Sequence, residues 1–168
     1  MATNLKNLSA FDPAEIPSSK DMKFGIVVSE WNAEITNALL EGAANTLKHM
    51  GTETGNIRIV HVPGSFEIPY VARMIAETYK PDAVICLGCV IQGETRHFDY
   101  ICQGVTQGIT ELNLKYDIPF IFGILTTRNI EQARERSGGK HGNKGEEAAI
   151  TAIRMVYQQR EILKKDKK

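Results

Sequence analysis

The stretch AVICLGCVIQGETRHFDYI, residues 83–101, decides the fold. Its first nine residues are apolar or small without a break. A run of that length and β-branched content reads as a strand buried on both faces. It stops at Gln92-Gly93-Glu94-Thr95, and a helical pattern over 97–117 follows at once. A strand that runs straight into a helix is half of a β-α unit. The stop also raises a chemical question. A plain loop needs a turn former and a cap, yet here a glycine, two hydrogen-bonding residues and His97 stand together.

The same alternation runs along the rest of the chain. KFGIVVS (23–29) reads as a strand, and 34–51 as a helix with Ile35, Leu39, Ala43 and Leu47 at helical spacing and Gly51 as its stop. IRIVHVPG (57–64) is the next strand. FEIPYVARMIAETYK (66–80) is the next helix, with Pro69 tolerated in its first turn. PFIFGILT (119–126) is the fourth strand, 129–137 a short helix, GGKHGNKG (138–145) a glycine-rich loop and 146–163 the last helix. Four β-α units in succession predict a single-domain α/β sandwich of three layers. Its four-stranded parallel sheet is flavodoxin-like, with helices on both faces. Residues 1–20 read as an arm, flexible or paired with a neighbouring subunit, and 21–168 as the α/β domain.

Composition narrows the partners. The chain of 168 residues has a formal net charge of zero, and KKDKK at its end is the only basic cluster. Nucleic acid is therefore a poor partner, because phosphate neutralisation dominates that binding. No apolar run approaches the roughly 20 residues a membrane span needs. The N-terminus lacks a signal-peptide core, so the expected location is cytoplasmic. The three cysteines, Cys86, Cys89 and Cys102, read as reduced thiols. Cys86 and Cys89 are three apart on a strand, point to opposite faces and so suit neither a metal nor a redox pair. The four histidines lie on different elements, none at a zinc spacing with a cysteine.

Doubly wound sheets bind ligands beyond the carboxyl ends of their strands. The first strand ends in Ser29-Glu30-Trp31-Asn32, where the only tryptophan could stack on a planar ring or pack on its own domain. The second ends in Pro63-Gly64-Ser65-Phe66-Glu67. Glu67 suits the helix dipole there, or could accept hydrogen bonds from ligand hydroxyls. The third ends in the opening stretch, where the N–H groups of Glu94 and Thr95 at a helix start form a natural anion site. His97 is the group there whose proton moves near neutral pH. Phe122, in the fourth strand, reads as core. Arg136, Lys140, His141 and Lys144 surround the glycine-rich loop, which lacks the P-loop pattern. Together these describe a site for a planar, hydroxylated ligand and a phosphorylated small molecule.

These edges resemble the lumazine synthase family. The resemblance spans roughly Lys23 to Tyr157. It rests on SEWN (29–32), VPGSFEIP (62–69), LGCVIQGETRHFDYI (87–101), PFIFGILTT (119–127) and GNKGEEAA (142–149), in that order. It implies condensation of 5-amino-6-(D-ribitylamino)uracil with 3,4-dihydroxy-2-butanone 4-phosphate to a lumazine, phosphate and water, without cofactor or metal. Carried over by position, Trp31 stacks on the pyrimidine, where phenylalanine is frequent. Ser65, Phe66 and Glu67 hold its ribityl chain, and Cys89, Val90 and Ile91 line the ring pocket. Glu94, Thr95, Arg136 and Lys144 bind the phosphate. His97 is the proton donor, and Phe122 is the aromatic a neighbouring subunit contributes. Family members form pentamers with active sites between neighbours. The short GGKHGN loop favours closure into a shell of sixty subunits, and a riboflavin synthase is a further expected partner.

Three rival readings fare worse on the residues. A flavin module needs a Ser/Thr/Gly-rich loop after the first strand, and SEWNAE lacks glycine. A signalling receiver needs an aspartate at the third strand end, which reads CLGCVIQG. A structural shell protein would have no need of Trp31, His97 and Arg136 together. A riboflavin synthase of the same fold, which would consume two lumazines, is the closer rival and is not set aside by these residues.

Overall fold

A computed structural model describes residues 12–165. Four strands, β1 (Phe24–Ser29), β2 (Ile57–Val62), β3 (Ala83–Ile91) and β4 (Phe120–Thr127), form one sheet in the order β2-β1-β3-β4. All three pairings are parallel. Ser29 stands beside Val62, and Ile91 beside Thr127, so the carboxyl ends lie along one edge. Helices α1 (Ala33–His49), α2 (Ile68–Thr78), α3 (His97–Lys115), α4 (Ile130–Arg134) and α5 (Lys144–Lys165) complete the sandwich. The flavodoxin-like three-layer architecture expected from the alternation is the one observed.

Side-chain alternation along the strands divides the core in two. Phe24, Ile26, Val28, Ile85 and Leu87 pack with α1 and α5 on one face. Val27, Val84 and Cys86 pack with α2 and α3 on the other. Cys86 and Cys89 fall in different clusters, as their odd spacing requires. Helix α1 buries Ile35, Leu39, Ala43 and Leu47, each large side chain contributing about 1.5–3 kcal/mol of transfer free energy. It ends at Gly51, whose φ of 104° suits a glycine stop.

Two local expectations need correction. The second strand, β2, is not buried on both faces: it is a sheet edge, and Ile59 is 40% exposed. The loop GGKHGNKG is not irregular. It forms a small antiparallel hairpin of β5 (Ser137–Gly139) and β6 (Gly142–Asn143), and α5 begins at Lys144 rather than 146. Within the expected arm, Ile16 and Ser19 are buried. The Thr52 hydroxyl donates to Ser19 Oγ at 2.7 Å and the Ser19 N–H to the Met50 carbonyl at 2.9 Å, so this part docks on its own chain. Residues 1–11, the rest of that arm, lie outside the described residues.

Candidate active site

The carboxyl ends of β1, β2 and β3 open into a cleft of about 800 Å³ on the α2/α3 side of the sheet. Each wall follows from local chain chemistry. After β1, Glu30 and Trp31 donate backbone bonds to Val62 and Pro63, which carries the chain across the end of β2. Asn32 then adopts the left-handed conformation (φ 61°, ψ 48°), tolerated by asparagine, and its Nδ2 donates to the Cys89 carbonyl at 2.9 Å. This turn leaves Trp31 73% exposed at the cleft mouth, so it does not pack on its own domain.

After β2, Ser65–Glu67 forms a 3-10 turn leading into α2. Phe66 is 56% exposed, and Glu67 stands beside it on the cleft. Ser65 is buried, and its hydroxyl has no hydrogen-bond partner among the described residues. After β3, Cys89, Val90 and Ile91 form the floor. Burial pushes the Cys89 thiol up to about 11, so at neutral pH it is a protonated, apolar lining group. Gly93 and Thr95 bring the chain to α3, and the His97 N–H donates to Thr95 Oγ1 at 3.4 Å. His97 is exposed at the first turn of α3 and faces the cleft. Among the described residues, the N–H groups of Glu94 and Thr95 donate to no other group of the chain.

The cleft therefore gathers Trp31, Ser65, Phe66, Glu67, Cys89, Val90, Ile91, Thr95 and His97. It does not gather Phe122, Arg136 or Lys144, nor the Glu94 side chain. Phe122 is not core, as read from its strand: it is 41% exposed on β4, which is an edge of the sheet among the described residues. Arg136 and Lys144 flank the β5–β6 hairpin, where the Lys144 N–H donates to the Arg136 carbonyl at 2.9 Å. Arg136 Nη1 donates to the Gln132 carbonyl at 3.0 Å, and Lys144 Nζ pairs with Glu147 at 2.6 Å. Sequence reasoning missed Asn32 as a structural clamp, and Phe98 and Ile101 as cleft wall. Asn32 was visible as a polar residue just before a helix. Phe98 and Ile101 carried no signal beyond a helical apolar face. No cluster of three or more potential metal ligands occurs among the described residues, and none of their helices is long and apolar enough to cross a membrane.

A largely apolar cleft, rimmed by an aromatic ring, a carboxylate and an imidazole beyond a parallel sheet, defines a small-molecule site of the doubly wound α/β class. Residues 21–160 match the family model for 6,7-dimethyl-8-ribityllumazine synthase. The 6,7-dimethyl-8-ribityllumazine synthase of Parabacteroides distasonis is 59% identical, over 93% of this chain and 98% of its own. That of Cytophaga hutchinsonii is 57% identical, over 94% and 99%. That of Christiangramia forsetii is 53% identical, over 100% and 98%. The chain belongs to the 6,7-dimethyl-8-ribityllumazine synthase family.

Proposed function

We propose that the cleft binds the pyrimidine substrate of the family's reaction, that His97 moves its protons, and that Phe122, Arg136 and Lys144 serve the cleft of a neighbouring subunit. The reaction joins 5-amino-6-(D-ribitylamino)uracil to 3,4-dihydroxy-2-butanone 4-phosphate. It yields 6,7-dimethyl-8-ribityllumazine, phosphate and water, the penultimate step of riboflavin biosynthesis. One observation carries the division of labour. The ring-binding and proton-handling residues line one cleft, while both cations and the exposed Phe122 lie outside it.

In this reading Trp31 stacks on the pyrimidine, and Ser65, Phe66 and Glu67 hold the ribityl chain. Cys89, Val90 and Ile91 shape the ring pocket. The free N–H groups of Glu94 and Thr95 take the phosphate, joined by the neighbour's Arg136 and Lys144. The substrate amine attacks the ketone, and His97 gives a proton to the departing water. Removal of a proton at the neighbouring carbon then expels phosphate, whose charge the cations stabilise, and the ribitylamino nitrogen closes the ring on the resulting ketone with loss of a second water. Holding both reactants together supplies much of the acceleration.

The working form in this reading is a homopentamer, closing further into a cytoplasmic shell of sixty subunits that passes lumazine to a riboflavin synthase. The tight β5–β6 hairpin, with no insertion, supports the shell. The apolar side chains exposed on α2 and α3, Tyr70, Met74, Tyr100 and Leu114, support a packed assembly. The position of β2 at the edge of the sheet among the described residues supports pairing with a neighbour's N-terminal arm.

Co-expression tests the reading. His97→Ala should lower kcat, and Arg136→Ala should raise the KM of the phosphorylated substrate. Mixed oligomers of the two variants should regain part of the lumazine-forming rate, because some clefts combine an intact His97 with a neighbour's intact Arg136. Mixed oligomers no more active than the average of the two pure variants would place all the groups on one chain and refute the shared site.

A further inference from the structure

We infer that Gly104, in the middle of α3, sets the position of the Phe66 ring and thereby the width of the cleft for the pyrimidine substrate. The inference rests on the proposed reading of the cleft. His97, Ile101, Gly104 and Gly108 follow one another at helical spacing, so they share one face of α3. His97 and Ile101 line the cleft. The Phe66 ring lies over Gly104: a Cβ there would stand 2.8 Å from Cε2 and 3.4 Å from Cδ2. Gly104 keeps ordinary helical backbone, so the glycine is needed for room and not for conformation.

Room at that point has a cost. A glycine inside a helix is about 1 kcal/mol less favourable than alanine. The three nearest atoms the absent methyl would meet all belong to the edge of an aromatic ring that is itself more than half exposed and forms one wall of the cleft. The atom in conflict is the far end of a side chain, not backbone. An added methyl therefore moves the ring rather than the helix. Phe66 lines the cleft, so moving its ring changes the width there. One turn further along, Gly108 faces Pro69, which does not line the cleft. It serves as a control with the same kind of close approach and no link to the site.

Steady-state kinetics on the full-length enzyme test the role, alongside thermal melting and titration of Trp31 fluorescence with the pyrimidine substrate. Gly104→Ala should raise the KM and the dissociation constant of that substrate about tenfold, the scale on which a hydrophobic pocket senses one methyl. It should leave kcat and the KM of the phosphorylated substrate within about twofold, and should not lower the melting temperature. In a Phe66→Leu background, which lacks the colliding ring edge, adding Gly104→Ala should change pyrimidine binding by less than about twofold. Gly108→Ala should leave both KM values unchanged. If Phe66→Ala weakens pyrimidine binding but Gly104→Ala does not, the positioning role is refuted. An effect of Gly104→Ala that persists at about tenfold in the Phe66→Leu background refutes it as well. Unchanged pyrimidine binding in Phe66→Ala would overturn the reading of the cleft beneath it.

Discussion

Gly145→Ala should be among the most damaging single-methyl additions in this chain. Gly145 is buried at the start of α5, pressed against α1. A Cβ there would lie 1.9 Å from the Leu39 carbonyl oxygen, 2.7 Å from its carbon and 2.9 Å from its Cα. Relief to even 3.0 Å requires a retreat of about 1.1 Å, and all three atoms belong to the backbone of a helix whose side chains fill the core. Overpacking of this kind costs about 1–3 kcal/mol where side chains can yield, and more where backbone must. The helix propensity gained by replacing glycine returns at most about 1 kcal/mol. A net loss of about 3 kcal/mol follows. For 168 residues that is a drop of about 6–12 °C in melting temperature. Gly55→Ala, where nothing lies within 4 Å of the added methyl, is the matched control and should change little. Thermal and urea melts of both variants decide the matter. A Gly145→Ala chain within about 0.5 kcal/mol of its parent would show that α1 and α5 separate freely, contrary to the packing described.

Asn32→Gly should retain the left-handed turn and lose only the bond to the Cys89 carbonyl, whereas Asn32→Ala loses both. Alanine should therefore be the less stable by about 1 kcal/mol in a denaturant titration, and equal stabilities would refute the conformational part. Ile85→Ala, at a fully buried position in the central strand β3, should cost about 2–5 kcal/mol by the same measurement. Burial pushes the Cys86 thiol up to about 12 and Cys89 to about 11 from an ordinary 9.0. Between those values the folded chain keeps protons that the unfolded chain releases. The stability the two thiols contribute is therefore intact below about pH 9 and lost as pH rises toward 11 and 12. Denaturation curves from pH 8 to 11 should show that fall, and replacing both cysteines by alanine should flatten it.

The β-α alternation was legible because it is local. Strand β3 announces itself by nine apolar residues, and the opposed faces of Cys86 and Cys89 follow from their spacing alone. Exposure was not legible where it depends on sheet order. IRIVHV and FIFGIL read like buried strands, yet β2 and β4 are the two edges. Nothing within either segment reports which strands flank it. Phe122 was misread as core for that reason: it is 41% exposed, and nothing within FIFGIL reports it. The hairpin inside GGKHGNKG was hidden because β6 has only two residues, too few for any alternation to register. Trp31, Glu67 and His97 were legible as edge residues of one sheet. That Arg136 and Lys144 stand apart from them was not, since chain order places the last two only after β4 has been laid down.

The two groups of residues remain mechanically linked through α1. At its first end, Asn32 fastens the turn carrying Trp31 to the Cys89 carbonyl on the cleft floor. Two turns along, the Ala38 carbonyl accepts from Asn143 Nδ2 at 2.9 Å, while Asn143 Oδ1 accepts from the Gly145 N–H at 2.8 Å and so caps α5. Arg134 meets Glu34 in a two-pronged pair, with Nε to Oε1 at 2.7 Å, which ties α4 to the same helix. The hairpin that bears Arg136 and Lys144 is thus fixed to the helix whose start fixes Trp31. A rigid helix holding both ends sets the distance between cleft and cations within one chain. If neighbouring chains share a site, that distance also dictates where the neighbour must sit for its cations to reach. The close contact at Gly145 then bears on function as well as stability: a shift of α5 against α1 would displace Lys144 and the hairpin while leaving the cleft formed by β1, β2 and β3 in place.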